Sequence, residues 1–152
     1  MLLLRHASAG QRLMSPSIDR FRQLDRQGRS EAQQLVWMLA EHEIERVVTS
    51  PLARCVETVV PTAASLRLAV ESRVELAPEA PLEATLLLLD ELPDETLVCT
   101  HREVIQRLFA DEVTCEKGGT WVLERNRPLW SPTAYLPPPA SADALPRTAL
   151  SR

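Results

Sequence analysis

Glycine is scarce. Only four occur in 152 residues, and none precedes a Lys-Ser or Lys-Thr pair, so a Walker-type phosphate loop is absent. Cysteine is equally sparse: Cys55, Cys99 and Cys115 are odd in number, share no C-x-x-C spacing and sit in or beside apolar stretches. That pattern reads as buried free thiols in a reducing compartment. Basic charge is not in excess either, with 17 Lys and Arg against 21 Asp and Glu, a net charge of -4. Such a surface is a poor match for a nucleic-acid polymer or an anionic membrane. Long apolar runs are missing, since the opening stretch 1–4 ends at Arg5. It is too short for a signal peptide or a membrane span, so a cytoplasmic location is expected.

What is present suits one compact domain. With 45% hydrophobic and 25% charged residues, a chain of this length buries roughly 70% of its unfolded surface and builds a core without disulfides or a structural metal. Residues 2–4 form an apolar run of the kind buried on both faces of a parallel sheet, and His6 falls just past its end. Residues 7–24 hold no period but carry Arg12, Arg20 and Arg22. Asp25 reads as the N-cap of a helix to about Glu43, with Ala32, Leu35, Val36 and Leu39 on one face.

A second buried strand is expected at 47–49, followed by Ser50 and Pro51 as N-cap and first position of the next helix, which puts Arg54 in its first turn. Pro61 is expected to kink or end that helix. Beyond it come a short strand near 68–70, a leucine-rich helix over 81–92, a strong strand at 96–100 that delivers His101, and a helix over 104–109. Gly118 and Gly119 introduce a strand at 120–123, expected at a sheet edge, and the proline-rich chain after Arg125 argues against further regular structure. The alternation predicts a single three-layer α/β domain over 1–139, its central sheet mostly parallel with helices on both faces, and a disordered tail over 140–152.

Three strand ends gather the chemistry. His6 and His101 each follow a buried strand and each adjoins an arginine, Arg5 and Arg102. Ligand crevices in open parallel sheets lie beyond such carboxyl ends. Arg54 arrives at the third, beside a helix N-terminus with unpaired N–H groups and partial positive charge. A lone histidine at a strand end is usually a packing or capping group, and a lone arginine on a helix a surface charge; their joint occurrence at three ends favours a shared anion site. Phosphoryl transfer asks for a placed nucleophile and positive charge around the equatorial oxygens, which this set supplies without a metal or cofactor. His42, flanked by Glu41 and Glu43, reads as a solvated surface residue.

LLLRHA, TSPLARCVET and VCTHREVI resemble, in order and spacing, the three signatures of the histidine phosphatase superfamily, with its phosphoglycerate mutase-like fold. The short chain is similar to the SixA-like phosphohistidine phosphatases. LRHASAG, SPLARCVETV, VCTHREVI and KGGTWVLE also resemble the phosphatase half of actinobacterial fusions in which a Nudix domain comes first. The resemblance implies that His6 is the phosphorylated nucleophile, that Arg5 and Arg54 hold phosphate, and that His101 completes the pocket. It also implies a metal-independent phosphatase, and a Nudix domain as partner. Two positions depart from the pattern: Ala7 and Arg102 stand where glycine is usual, and Arg102 adds a further candidate phosphate contact.

The family's general acid has no clear counterpart. Glu75, Glu79 and Glu83 lie in the right region, Glu79 being the candidate, although each also reads as a solvated charge. Without a placed acid, phosphoramidates and phosphoanhydrides are better substrates than phosphate esters, because their leaving groups depart more readily. A phosphohistidine protein is the leading expectation; nucleoside polyphosphates, or a non-catalytic phosphate-binding module, are the alternatives. Arg12, Arg20 and Arg22 either extend the anion site or are solvated loop charges. A cysteine phosphatase is excluded, since the sixth position beyond Cys99 is Ile105 and beyond Cys55 is Pro61. A mutase would need to enclose its substrate against water, for which the chain is short.

Overall fold

Alternation along the first strand sets the architecture. In the computed structural model, which describes residues 1–126 and 129–140, β1 spans Leu2–Arg5. Leu3 points into one core cluster, and Leu2 and Leu4 into the other. The chain continues through α1 (Pro16–Asp19), α2 (Arg26–Met38), β2 (Arg46–Thr49), α3 (Ala53–Leu66) and β3 (Val70–Ser72). A 3-10 turn (Val74–Leu76), α4 (Leu82–Glu91), β4 (Thr96–Thr100), α5 (Arg102–Leu108), β5 (Thr120–Asn126) and β6 (Leu129–Leu136) complete it.

The six strands run in the order β3-β2-β4-β1-β5-β6, the first four parallel and the last two antiparallel. One cluster packs Leu3, Val48 and Val98 against Leu88, Leu89 and Leu92 around α4 and Ile105 of α5. The other packs Leu2, Leu4, Val47 and Leu97 against Leu35, Leu39, Val59 and Ala63 around α2 and α3. Each fully buried leucine contributes roughly 1.5–3 kcal/mol, so both faces hold the sheet. This is the expected three-layer α/β domain.

Several boundaries differ from expectation. Helix α2 stops at Met38, five residues before Glu43, because the chain must turn back for Glu45 N–H to reach the Glu95 carbonyl beside β2. Pro61 does not end α3, which runs on to Leu66: Val59, Thr62 and Ala63 are buried, and that face outweighs one missing hydrogen bond. Ser50 and Pro51 precede the helix instead of starting it; the N-cap is Leu52. Strand β3 begins at Val70, in register with Val47, after Arg67 closes α3 in a left-handed conformation.

The largest correction concerns the end of the domain. The strand after Gly119 is internal, since β6 pairs alongside it within the stretch whose prolines argued against regular structure. Pro132 is accommodated because β6 is an edge strand and the register shifts where it meets Val122 and Leu123. Most of the tail expected to be disordered, 141–152, lies outside the described residues.

Candidate active site

Parallel pairing of β1 with β4 brings the two histidines together. The register ends with Arg5 opposite Thr100, and His6 N–H continues it to the Thr100 carbonyl at 3.1 Å. The side chains that follow therefore leave the same end of the sheet: the rings of His6 and His101 lie 5.5 Å apart, nearly edge to face. Both are buried, at 5% and 1% exposure.

His6 Nδ1 lies 2.8 Å from the Ala7 carbonyl oxygen. A carbonyl only accepts, so Nδ1 carries the proton and Nε2 keeps its lone pair. Burial, opposed by that hydrogen bond and reinforced by the charges of Arg54 and Arg5, pulls the His6 pKa down to about 4. At neutral pH the ring is thus uncharged. His101 is held still lower, at about 2, by burial first and then by His6 and Arg54. Its Nε2 lies 2.8 Å from Ser50 Oγ and 3.4 Å from Cys55 Sγ. Ser50 reaches this position because its own N–H extends the β2–β4 pairing to the Cys99 carbonyl.

Arg54, the second residue of α3, is only 4% exposed. Its Nη1 donates to the Asp19 carbonyl at 3.0 Å, its Nη2 lies 3.7 Å from Asp19 Oδ2, and its Nε has no partner among the described residues. Asp19 in turn accepts from Leu13 N–H at 2.8 Å and Arg22 Nε at 2.9 Å. Arg22 is itself tied to the Ala9 carbonyl, and its charge is felt at His6, His101 and Arg54. Thr58 joins the layers: it accepts from Ala7 N–H at 3.0 Å and donates to the Arg54 carbonyl at 2.6 Å.

The charges of Arg54, Arg5 and Arg22 therefore all act on the neutral His6 ring, and Asp19 is a carboxylate held between Arg54 and Arg22. A buried guanidinium N–H with no acceptor is costly.

The profile of the histidine phosphatase superfamily, branch 1, matches residues 1–78. The chain belongs to that superfamily.

Among sequence relatives of this histidine phosphatase superfamily member is an 8-oxo-(d)GTP phosphatase of Mycolicibacterium smegmatis, 30% identical over 157 residues. The alignment covers 91% of this chain but 48% of that protein, so the chain spans about half the relative's length. Its fold is similar to the protein histidine phosphatase SixA bound to tungstate, with a TM-score of 0.76, 22% identity, and 90% and 96% of the two chains covered. YhfR of Bacillus stearothermophilus gives a TM-score of 0.70 at 18% identity, covering 86% and 93%.

Not every residue singled out in the sequence joins the cluster in the same way. Arg5 acts electrostatically on His6, but its Nη1 donates to the Cys115 carbonyl at 2.8 Å, in a groove it shares with Arg102, while its buried Nε has no partner among the described residues. Arg102 is exposed. Glu79 is bonded to Arg20 at 2.7 Å, and that hydrogen bond holds its carboxyl below the usual range, the reverse of what a proton donor needs. Glu75 is paired with Arg73, and Glu83 is exposed.

Sequence reasoning missed Asp19, Thr58 and Ser50's contact with His101. The signals were weak: an aspartate within the arginine-bearing loop, a threonine one helical turn beyond Arg54. Among the described residues no group of three or more His, Cys, Asp or Glu side chains is arranged to hold a metal ion, and no helix is long and apolar enough to cross a membrane.

Proposed function

We propose that the chain is a metal-independent phosphatase in which Nε2 of His6 attacks phosphorus and carries the phosphoryl group before water removes it. The N–P bond forms as the bond to the leaving group breaks; water oxygen then attacks phosphorus, the N–P bond breaks and inorganic phosphate departs. The observation that carries this reading is the His6 to Ala7 hydrogen bond, which leaves a lone pair on a neutral, buried ring facing His101.

Arg54 holds two equatorial oxygens in this reading, with Arg22 adding charge. In the tautomer whose Nε2 accepts from the Ser50 hydroxyl, His101 donates through Nδ1–H to a third, and Arg5 contributes through its Nε. Arg102 is assigned a peripheral contact, reached only by rotation of its exposed side chain.

In this reading the leaving group departs with little help, because Glu79, the carboxyl proposed as an acid, is an exposed group whose pKa the pair with Arg20 lowers rather than raises. Protein phosphohistidine meets that condition, since a phosphoramidate bond breaks readily. Nucleoside polyphosphates meet it too, and the cavity described below favours them. A Nudix-domain partner belongs to the same proposal: adding such a domain should change the rate if the two cooperate.

A panel of a phosphohistidine peptide, ADP, phenyl phosphate and a sugar monophosphate, run on wild type and His6→Ala, tests the reaction. Loss of at least ~10⁴-fold in kcat/KM for every substrate is expected in the variant. Sugar monophosphate turning over faster than the labile donors would refute the substrate class. Phosphate binding with turnover at the background rate would favour a non-catalytic module.

A further inference from the structure

Outside the histidine cluster lies a cavity of about 580 Å³, and Arg54 and Asp19 are wall residues that the two share. The opposite walls come from separate parts of the chain. Residues 12–20 supply Arg12, Leu13, Met14 and Arg20, while Leu52, Pro78, Glu79 and Glu103 face them. Two ion pairs bridge the mouth, Arg12 with Glu103 and Arg20 with Glu79. Met14 is fully exposed and Leu13 nearly half exposed, which leaves both side chains free to meet a ligand.

The geometry points to a leaving-group subsite for a nucleoside diphosphate, in which Arg12 and Arg20 exchange their glutamates for the phosphate that stays with the nucleoside. This deepens, and rests on, the proposed phosphatase reading. The cavity falls in the size range of small-ligand pockets. Its apolar side chains suit the flat face of a base, and its arginines suit an anion beyond the one Arg54 grips. Exposed ion pairs hold weakly, by about 0–1 kcal/mol, so a charged ligand displaces them readily. In the reaction the terminal phosphorus passes to His6 Nε2, the bridging P–O bond breaks, and nucleoside monophosphate leaves from the cavity; water then releases phosphate. A phosphohistidine protein brings no second phosphate to these arginines.

Steady-state kinetics on Arg12→Gln/Arg20→Gln, with ADP and phenyl phosphate as paired substrates, tests the assignment. The expected result is a KM for ADP raised about tenfold more than that for phenyl phosphate, with kcat for ADP changed much less. Glu79→Gln/Glu103→Gln, which frees both arginines, should lower the KM for ADP. Equal effects on the two substrates, no effect on either, or a wild type that hydrolyses phenyl phosphate or a phosphohistidine peptide but not ADP would each overturn the subsite. Wild type inactive on all of them would instead overturn the phosphatase reading, and the subsite with it.

Discussion

Asp19 meets Arg54 twice, through its backbone carbonyl at 3.0 Å and through its carboxylate at 3.7 Å, with both residues almost fully buried. One short segment thereby aims the arginine and balances its charge. Arg22 completes the unit by binding the same carboxylate. Removing the negative charge leaves the buried Arg54 and the partly buried Arg22 repelling each other.

Asp19→Asn should therefore weaken the grip on phosphate more than it slows chemistry. A KM raised about tenfold, equivalent to ~1.4 kcal/mol, with a smaller fall in kcat is the expected outcome in steady-state assays. An unchanged KM would show that Arg54 keeps its position without this partner.

Gly28 offers a stability prediction. A Cβ built there would lie 1.9 Å from the Ser8 carbonyl oxygen, a backbone atom with no room to yield. Ser8 is also held by Asp25, which caps α2 through Gly28 N–H. Gly28→Ala should cost roughly 1–3 kcal/mol, read as a fall in Tm, and should lower kcat because the displaced strand-end loop carries His6.

Much of this was legible in the sequence, for identifiable reasons. The runs at 2–4, 47–49 and 96–100 are apolar on both faces, which only a buried parallel sheet rewards, and each strand end brought its polar residue to the same edge. Strand β6 was not legible because Pro132 and its neighbours suppress strand propensity, and only an edge position with a register shift makes them tolerable. Pro61 misled for the opposite reason, since tertiary burial of Val59 and Ala63 overrides a local penalty. Asp19 was hidden because Arg54 lies 35 positions away on α3, while Leu13 and Arg22, in its own loop, follow no regular period.

Ser50→Ala removes the hydroxyl at 2.8 Å from His101 Nε2 and leaves the contact with Cys55 Sγ at 3.4 Å. With its orienting partner gone, the ring loses its fixed direction. A fall in kcat of about tenfold is expected, with a smaller change in KM. Wild-type kcat in this variant would remove Ser50 from the account.

Acid pH should affect activity and stability in separate windows. If His6 is the nucleophile, as proposed, it must be neutral, so kcat/KM should be level through neutrality and fall as pH drops through about 4, the pKa to which burial pulls His6. Unfolded histidine titrates near 6.5. Between that value and about 4 the unfolded chain therefore binds more protons than the folded one, and stability declines as pH falls across the interval. Urea unfolding at pH 7.5 and 5.0 should show a larger loss for wild type than for His6→Ala; equal losses would contradict a depressed His6.

The nucleophile itself is open to direct capture. Enzyme mixed with labelled phosphoramidate or ADP and quenched in alkali within the first turnover should carry a base-stable, acid-labile phosphoryl group, located by peptide mass spectrometry on Nε2 of His6. Label on His101, or product formed in a single turnover with no label on residue 6, would contradict the account.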